Sequence, residues 1–263
     1  MTTSSPSRQD LAGMIDHSLL HPALSDAELE AGCQLAAREG VASVCVKPYA
    51  VAQAAHWLKG SSVRVGCVVG FPHGSNATPI KQLETEQACR DGAVEIDMVL
   101  NLGKAMSGDW DYVEQDIRAV CKAAHDLGAK VKVILENDFL AQGGAGLDAS
   151  ALKTKLCRLA QSAGADWVKT STGFGYVKQP NGDFNYRGAT EADLVLMRQS
   201  VQDPVQVKAA GGVRDLAGLL RVRELGCTRL GTSATQSILA DFDRHLAAGL
   251  PLPSPSLGSP GGY

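Results

Sequence analysis

Lys169 lies in "ADWVKTSTGFG", inside a short apolar run that three hydroxyl residues and a glycine follow. Lys208 in "VQVKAAGGVR" and Asp97 in "VEIDMVLNLG" are placed alike, each an ionisable residue late in an apolar run. An amine shielded from water holds its proton less tightly, and a neutral amine attacks carbonyl carbon. A second cation nearby strengthens that effect, and a carboxylate beside the pair can move protons. If the three side chains share one site, they are equipment for amine-carbonyl chemistry. A plainer reading stands beside this one: Asp97 and Lys208 form a structural ion pair, and Lys169 lays its stem on apolar surface with its ammonium in water. Because an uncompensated buried charge is costly, two lysines and an aspartate at one mouth favour the functional reading.

The elements that would carry these residues are announced by glycines. In "REGVASVCV", "RDGAVEIDMVL", "HDLGAKVKVIL", "QSAGADWVKT" and "RELGCTRLGT" a helical pattern stops at Gly40, Gly92, Gly128, Gly164 or Gly226 and an apolar run follows. Each glycine fits the left-handed position just past a helix. Start signals agree: Ser25 and Glu28 have capping-box spacing, Thr78 reads as an N-cap with Pro79 at the first helical position, and Thr190 precedes "EADLVLMRQ". Strands are predicted at 13–16, 42–46, 63–69, 94–100, 131–135, 167–170, 205–209 and 228–231. Eight β-rich runs separated by helices, without G-x-G-x-x-G after the first, predict an α/β chain folded as a single (β/α)8 TIM barrel. A seven-stranded open sheet is the alternative if the first run is not a strand. The barrel is expected over 1–250 and a flexible tail over 251–263. Strand alternation puts Lys169 on a face with Trp167, Lys208 with Gln206, and Asp97 with Glu95 and Val99. Val168, Val207, Ile96 and Met98 then face the outer helices, and the ionisable set points inward, toward the strand ends where barrel enzymes build their sites.

Composition narrows the partners. The chain has 263 residues and a net charge of -3, and its basic residues are scattered, so nucleic acid is not an expected partner. The apolar stretches are strand length, which argues against a membrane span, and "MTTSSPSRQD" lacks the apolar core of a secretory signal. A cytoplasmic protein is expected. Seven cysteines without any C-x-x-C suggest neither a disulfide framework nor a thiolate zinc site, and read as reduced, mostly buried small hydrophobes. His17, His21 and His73 lack metal-ligand spacing with a carboxylate, and His73 in "FPHG" reads as a loop or core histidine. Asp16 and Cys45 sit at strand ends, where pocket lining and packing explain them equally.

"EIDMVLNLG", "VKTSTGFG" and "VKAAGGVR" together resemble the deoxyribose-phosphate aldolase family, with "DHSLL", "SVCVKP", "VVGFPHG" and "LGTSAT" as further blocks in that family's order. The resemblance runs from about Met14 to Thr235. It implies a class I aldolase that interconverts 2-deoxy-D-ribose 5-phosphate with acetaldehyde and D-glyceraldehyde 3-phosphate. Lys169 would form the Schiff base, and Asp97 and Lys208 would give and take protons. Physical chemistry agrees with that division of labour. At an ordinary lysine pKa of roughly 10.4, only about one amine in a few thousand is neutral at pH 7, and a second cation with partial desolvation raises that fraction. The protonated imine is the electron sink, so neither metal nor cofactor is expected. The phosphate would rest on the turns after the seventh and eighth strands, at Gly211, Gly212, Gly231 and Ser233, with Gly173 closing over from strand six. Arg214 either adds charge there or begins the next helix.

Two rivals remain at this stage: another class I sugar-phosphate or keto acid aldolase on the same barrel, and a sugar-phosphate binding protein without catalysis. The second has no need of two lysines and an aspartate in register. Between Gly175 and Gly188 the chain departs from the family with "YVKQPNGDFNYR", a long loop read as a hairpin with Asn181 and Gly182 at its turn. The proline- and glycine-rich tail ends at Tyr263; plain disorder is the first reading of such a composition, and the alternative is that the Tyr263 hydroxyl visits the barrel mouth when substrate is bound and joins the proton relay. A homo-oligomer is compatible with all of this.

Overall fold

The eight predicted runs form the staves of a closed parallel barrel. In the computed structural model, which describes residues 5–178 and 181–258, they are β1 (Ile15–Ser18), β2 (Ser43–Val46), β3 (Arg64–Val69), β4 (Glu95–Val99), β5 (Lys130–Ile134), β6 (Trp167–Lys169), β9 (Gln206–Ala210) and β10 (Arg229–Thr232). The short strands β7 (Val177–Lys178) and β8 (Phe184–Asn185) form an antiparallel hairpin outside the barrel. The order β1-β10-β9-β6-β5-β4-β3-β2 closes on itself, because β1 pairs with both β10 and β2. That closure overturns the open-sheet alternative and leaves no barrel edge to protect.

Seven strands fall within one residue of their predicted bounds. The first is displaced: 13–16 was predicted, and the strand is Ile15–Ser18. His17 and Ser18 do not read as strand formers, yet β2 and β10 supply their pairing. The helical punctuation holds. Gly40, Gly92, Gly128, Gly164 and Gly226 have φ of 66, 114, 79, 102 and 82°. At Gly40 the cap N–H returns to the carbonyl of Ala36, which a residue with a Cβ could satisfy only under strain. Ser25 and Glu28 form the capping box, and the Thr190 side chain accepts from the N–H of Asp193. The Thr78 assignment needs correction. The cap of helix Thr78–Arg90 is Ala77, with no side-chain bond, and the Thr78 hydroxyl instead donates to Asp116 at 2.8 Å.

The apolar core lies between barrel and helices. Ile96, Met98, Val168 and Val207 are fully buried there, with Val113, Ile117, Leu156, Leu194 and Leu219 from the helices. Burying each such side chain contributes about 1.5–3 kcal/mol, so the outer layer is what holds the staves in place. The inside of the barrel is therefore free to carry charge. Beyond the last helix, Thr235–Ala247, residues 251–258 have no regular structure. Leu252 and Leu257 nevertheless pack against the core, and the N–H of Ser256 donates to the carbonyl of Ala217 at 3.2 Å.

Candidate active site

Register brings the three predicted residues together. Lys169 on β6 lies directly opposite Lys208 on β9, and Asp97 on β4 directly opposite Lys132 on β5. The Thr170 hydroxyl donates to the carbonyl of Ala210 at 2.9 Å and accepts from its N–H at 3.0 Å, which pins the ends of β6 and β9 and so the spacing of the two lysines. Asp97 Oδ2 accepts from Lys169 Nζ and from Lys208 Nζ, both at 2.7 Å, and its Oδ1 accepts from Lys132 Nζ at 2.8 Å.

The cluster is larger than the sequence suggested. Lys208 Nζ also meets Asp16 at 2.6 Å, and Lys132 Nζ meets Glu95 at 2.6 Å. Arg229 closes the floor, pairing with Asp16 and with Glu95, the latter at 2.8 Å, while half-exposed Arg64 reaches Glu95 from the far end at 3.3 Å. Three buried carboxylates thus face four buried cations. Charge balances inside if one amine gives up its proton.

Electrostatics picks out which. Burial pushes the Lys169 ammonium down and Lys208 adds to the effect; Asp97 opposes them, and the net pKa lies below that of an ordinary lysine. Burial acts on Lys208 too, but Asp16 and Asp97 outweigh it and hold its proton more tightly than usual. Burial alone would raise Asp97; Lys132, Lys169 and Lys208 overcome it and keep the carboxyl well below its usual range. Lys169 is therefore the amine that most readily becomes a nucleophile.

Above the cluster opens a cleft of about 530 Å³, counting the space at its mouth, with Lys169 and Lys208 in its wall. Gly173, Gly211, Gly212, Gly231 and Ser233 all line it, with Arg214 at the rim. Gly211 and Gly212 have φ of 90 and 83°, so the turn after β9 needs glycine at both positions. Arg214 precedes its helix, which starts at Leu216 with Asp215 as cap. Ser233 stands before helix Thr235–Ala247, whose cap residue Ala234 makes no side-chain bond. Cys45 also lines the cleft, and burial pushes its thiol up to about 11. His17 turns away from the cluster, with Nδ1 2.8 Å from the Thr235 hydroxyl and burial lowering it to about 4. His73 is an exposed loop residue. Tyr263 lies outside the described residues.

Sequence reasoning missed Lys132, Arg229 and Glu136. Glu136 follows β5 at φ 57° and is buried under the turn after β6. The N–H of Thr172 donates to both carboxyl oxygens at 3.2 Å, and the Thr172 hydroxyl makes a short hydrogen bond to Oε2. A Cβ at Gly175 would come within 2.5 Å of the Glu136 carboxyl carbon, so a larger residue there would push the acid aside. A carboxylate directly closing the apolar run "VKVIL" was the available signal.

The profile of the DeoC/LacD family aldolases matches residues 11–225. The chain belongs to that family. The DeoC/LacD aldolase match is supported by curated relatives named deoxyribose-phosphate aldolase. One, from Rhodopirellula baltica, is 45% identical over 90% of this chain and 91% of its own. Another, from Aciduliprofundum boonei, is 42% identical over 89% of this chain and 98% of its own. Among solved structures, a deoxyribose phosphate aldolase from Aeropyrum pernix, described as tetrameric, superposes with a TM-score of 0.78 at 26% identity, covering 90% of this chain and 92% of the other. The barrel is thus the scaffold of a DeoC/LacD family aldolase, acting on small molecules. No helix among the described residues is long and apolar enough to cross a membrane.

Proposed function

We propose that this aldolase cleaves 2-deoxy-D-ribose 5-phosphate to acetaldehyde and D-glyceraldehyde 3-phosphate, and runs the reverse addition, through a Schiff base on Lys169. The observation that carries the reading is the shared oxygen: Asp97 Oδ2 stands 2.7 Å from both lysine nitrogens at the base of the cleft. Neutral Lys169 Nζ attacks the aldehyde carbon of the open-chain sugar. Its proton passes into the Asp97–Lys208 pair, which returns one to the departing hydroxyl so that the carbinolamine loses water. The protonated imine draws electrons as the bond between C2 and C3 breaks. Loss of the C3 hydroxyl proton releases D-glyceraldehyde 3-phosphate and leaves an enamine on Lys169. Protonation of that enamine carbon and hydrolysis of the imine release acetaldehyde and restore the amine. General acid and base help of this kind typically supplies about 10² to 10⁴ in rate.

At the other end of the cleft, Gly173, Gly211, Gly212, Gly231 and Ser233 would hold the phosphate through backbone N–H groups and the start of helix Thr235–Ala247. The names of relatives at 42–45% identity favour deoxyribose phosphate over another class I substrate. Self-association and a cytoplasmic setting belong to the same proposal. The Aeropyrum pernix relative is described as tetrameric, and seven unpaired thiols suit a reducing compartment.

Borohydride trapping tests the reading. Reduction in the presence of acetaldehyde should leave a stable two-carbon adduct on Lys169 in peptide mapping, and activity should survive EDTA. An adduct on another residue, or activity abolished by chelation, rejects the mechanism.

A further inference from the structure

The hairpin that sets this chain apart from its family's usual pattern turns one aromatic side chain inward. Tyr186 is 4% exposed, whereas Phe184, two residues earlier, is 63% exposed. Tyr186 lines the same cleft as Lys169 and the glycine turn after β9. Its ring lies over that turn: a Cβ built on Gly211 would sit 3.3 Å from Tyr186 Cε2.

Several contacts hold the ring there. Tyr176, at the start of the hairpin, meets it edge to face, with ring centroids 5.4 Å apart and planes at 87°. Immediately after it the chain is gripped from the β5 loop, where Asp138 Oδ1 accepts from the N–H of Arg187 at 2.6 Å and Oδ2 from the N–H of Gly188 at 2.9 Å. The segment then seats on the glycine turn itself, with the N–H of Ala189 donating to the carbonyl of Gly211 at 3.1 Å.

We propose that Tyr186 is a specificity-determining residue: its ring walls the phosphate end of the cleft and gives the enzyme its preference for the phosphorylated sugar over the free sugar, with Asp138 as the residue that positions it. The inference rests on the deoxyribose phosphate reading above. Backbone N–H groups bind a phosphate poorly when water competes for them. An aromatic wall excludes that water and lowers the local dielectric, which strengthens every N–H to oxygen bond at the turn. A sugar without a phosphate gains nothing from the wall, so the effect falls on one substrate and not the other.

The test measures kcat and KM for 2-deoxy-D-ribose 5-phosphate and for 2-deoxy-D-ribose, together with acetaldehyde trapping on Lys169, which involves no phosphate. Tyr186→Ala should raise KM for the phosphorylated sugar by about tenfold or more while kcat stays within about threefold, the pattern of lost uniform binding. Its kcat/KM for the free sugar should fall far less, so that the ratio of kcat/KM between the two sugars drops by about tenfold, and acetaldehyde should still be trapped on Lys169. Tyr186→Phe keeps the ring and should hold KM for the phosphorylated sugar closer to the parent than Tyr186→Ala does. Asp138→Ala should follow Tyr186→Ala, and Asp138→Asn, which keeps one accepting oxygen, should lie between. If Tyr186→Ala traps no acetaldehyde, Tyr186→Leu is read in its place by the same criteria. An unchanged KM for the phosphorylated sugar, or equal losses on both sugars, overturns the role of Tyr186. Absence of any Lys169 adduct in the wild-type protein overturns instead the function on which it rests.

Discussion

Glu136 is buried, and among the described residues no cation forms a salt bridge with it. Burial is the main cause that raises its carboxyl to about 7 from an ordinary 4.5, against the hydrogen bonds from Thr172 that favour the anion. Asp138 raises it further and Lys169 draws it down. The sign of the linkage follows. The folded protein holds this proton more tightly than the unfolded chain, so the stability that Glu136 contributes is complete below pH 4.5 and is lost as pH rises through about 7. The loss amounts to about 3 kcal/mol across that window. Glu136→Gln cannot ionise and should remove it. In urea titrations from pH 5 to 8, the parent should weaken relative to the variant as pH rises. A constant difference would mean that the acid is ionised throughout. Because Thr172 and Gly173 belong to the turn that Glu136 supports, the same titration reaches the cleft.

At the scale of elements, β4 depends on a buried pair beneath the catalytic face. Lys81 on helix Thr78–Arg90 and Asp116 on helix Trp110–Asp126 are both buried and 2.6 Å apart, and Lys81 Nζ also donates to the carbonyl of Val99 at 2.9 Å. The pair ties two helices to the end of the strand that bears Asp97. Asp116→Ala leaves the ammonium uncompensated and should cost about 3–5 kcal/mol, whereas replacing both partners with apolar residues of similar size should cost far less. Thermal unfolding of the three proteins separates the two outcomes; equal losses would show that shape, not charge, matters at this site. Elements of this kind were unevenly legible in the sequence. Alternation exposed Lys169 and Lys208 because each is the charge late in its apolar run, and Asp97 because apolar residues follow it in "EIDMVL", although Glu95 shares its face. Lys132 obeyed the same rule and was passed over, since in "KVKVIL" two lysines alternate as on any solvent-facing strand. Only the pairing of β4 with β5 turns that face inward, toward Asp97 and Glu95. Arg229 escaped for the same reason, its carboxylate partners lying on β1 and β4. The hairpin was legible from Asn181 and Gly182. The burial of Tyr186 was not, because Asp138 and Gly211, which fix it, belong to other loops.

Across the whole molecule, packing and charge occupy largely separate shells, the buried Lys81–Asp116 pair being an exception in the outer one. Apolar side chains fill the layer between strands and helices, and the axis is ionic. The segment 251–258 belongs to the outer shell through Leu252 and Leu257. Truncation after Leu250 should therefore lower stability by about 2–5 kcal/mol for two lost leucine contacts, while the acetaldehyde adduct on Lys169 forms at the parental rate. If Tyr263 serves the relay, exchange of the acetaldehyde methyl protons with deuterium will slow in the same variant. Parental stability would mean that the segment only rests on the surface, and parental exchange would remove Tyr263 from the reaction. The salt bridge from Asp16 to Arg229 has a consequence in time. Those partners are 213 residues apart. At about 5–20 residues per second, a ribosome takes roughly 10–40 s to reach the second after making the first. Throughout that interval β1 lacks one of its two neighbours and Asp16 lacks its guanidinium. The barrel cannot close until β10 has left the exit tunnel, so the ionic cluster around Asp16 is completed only after the last strand is released.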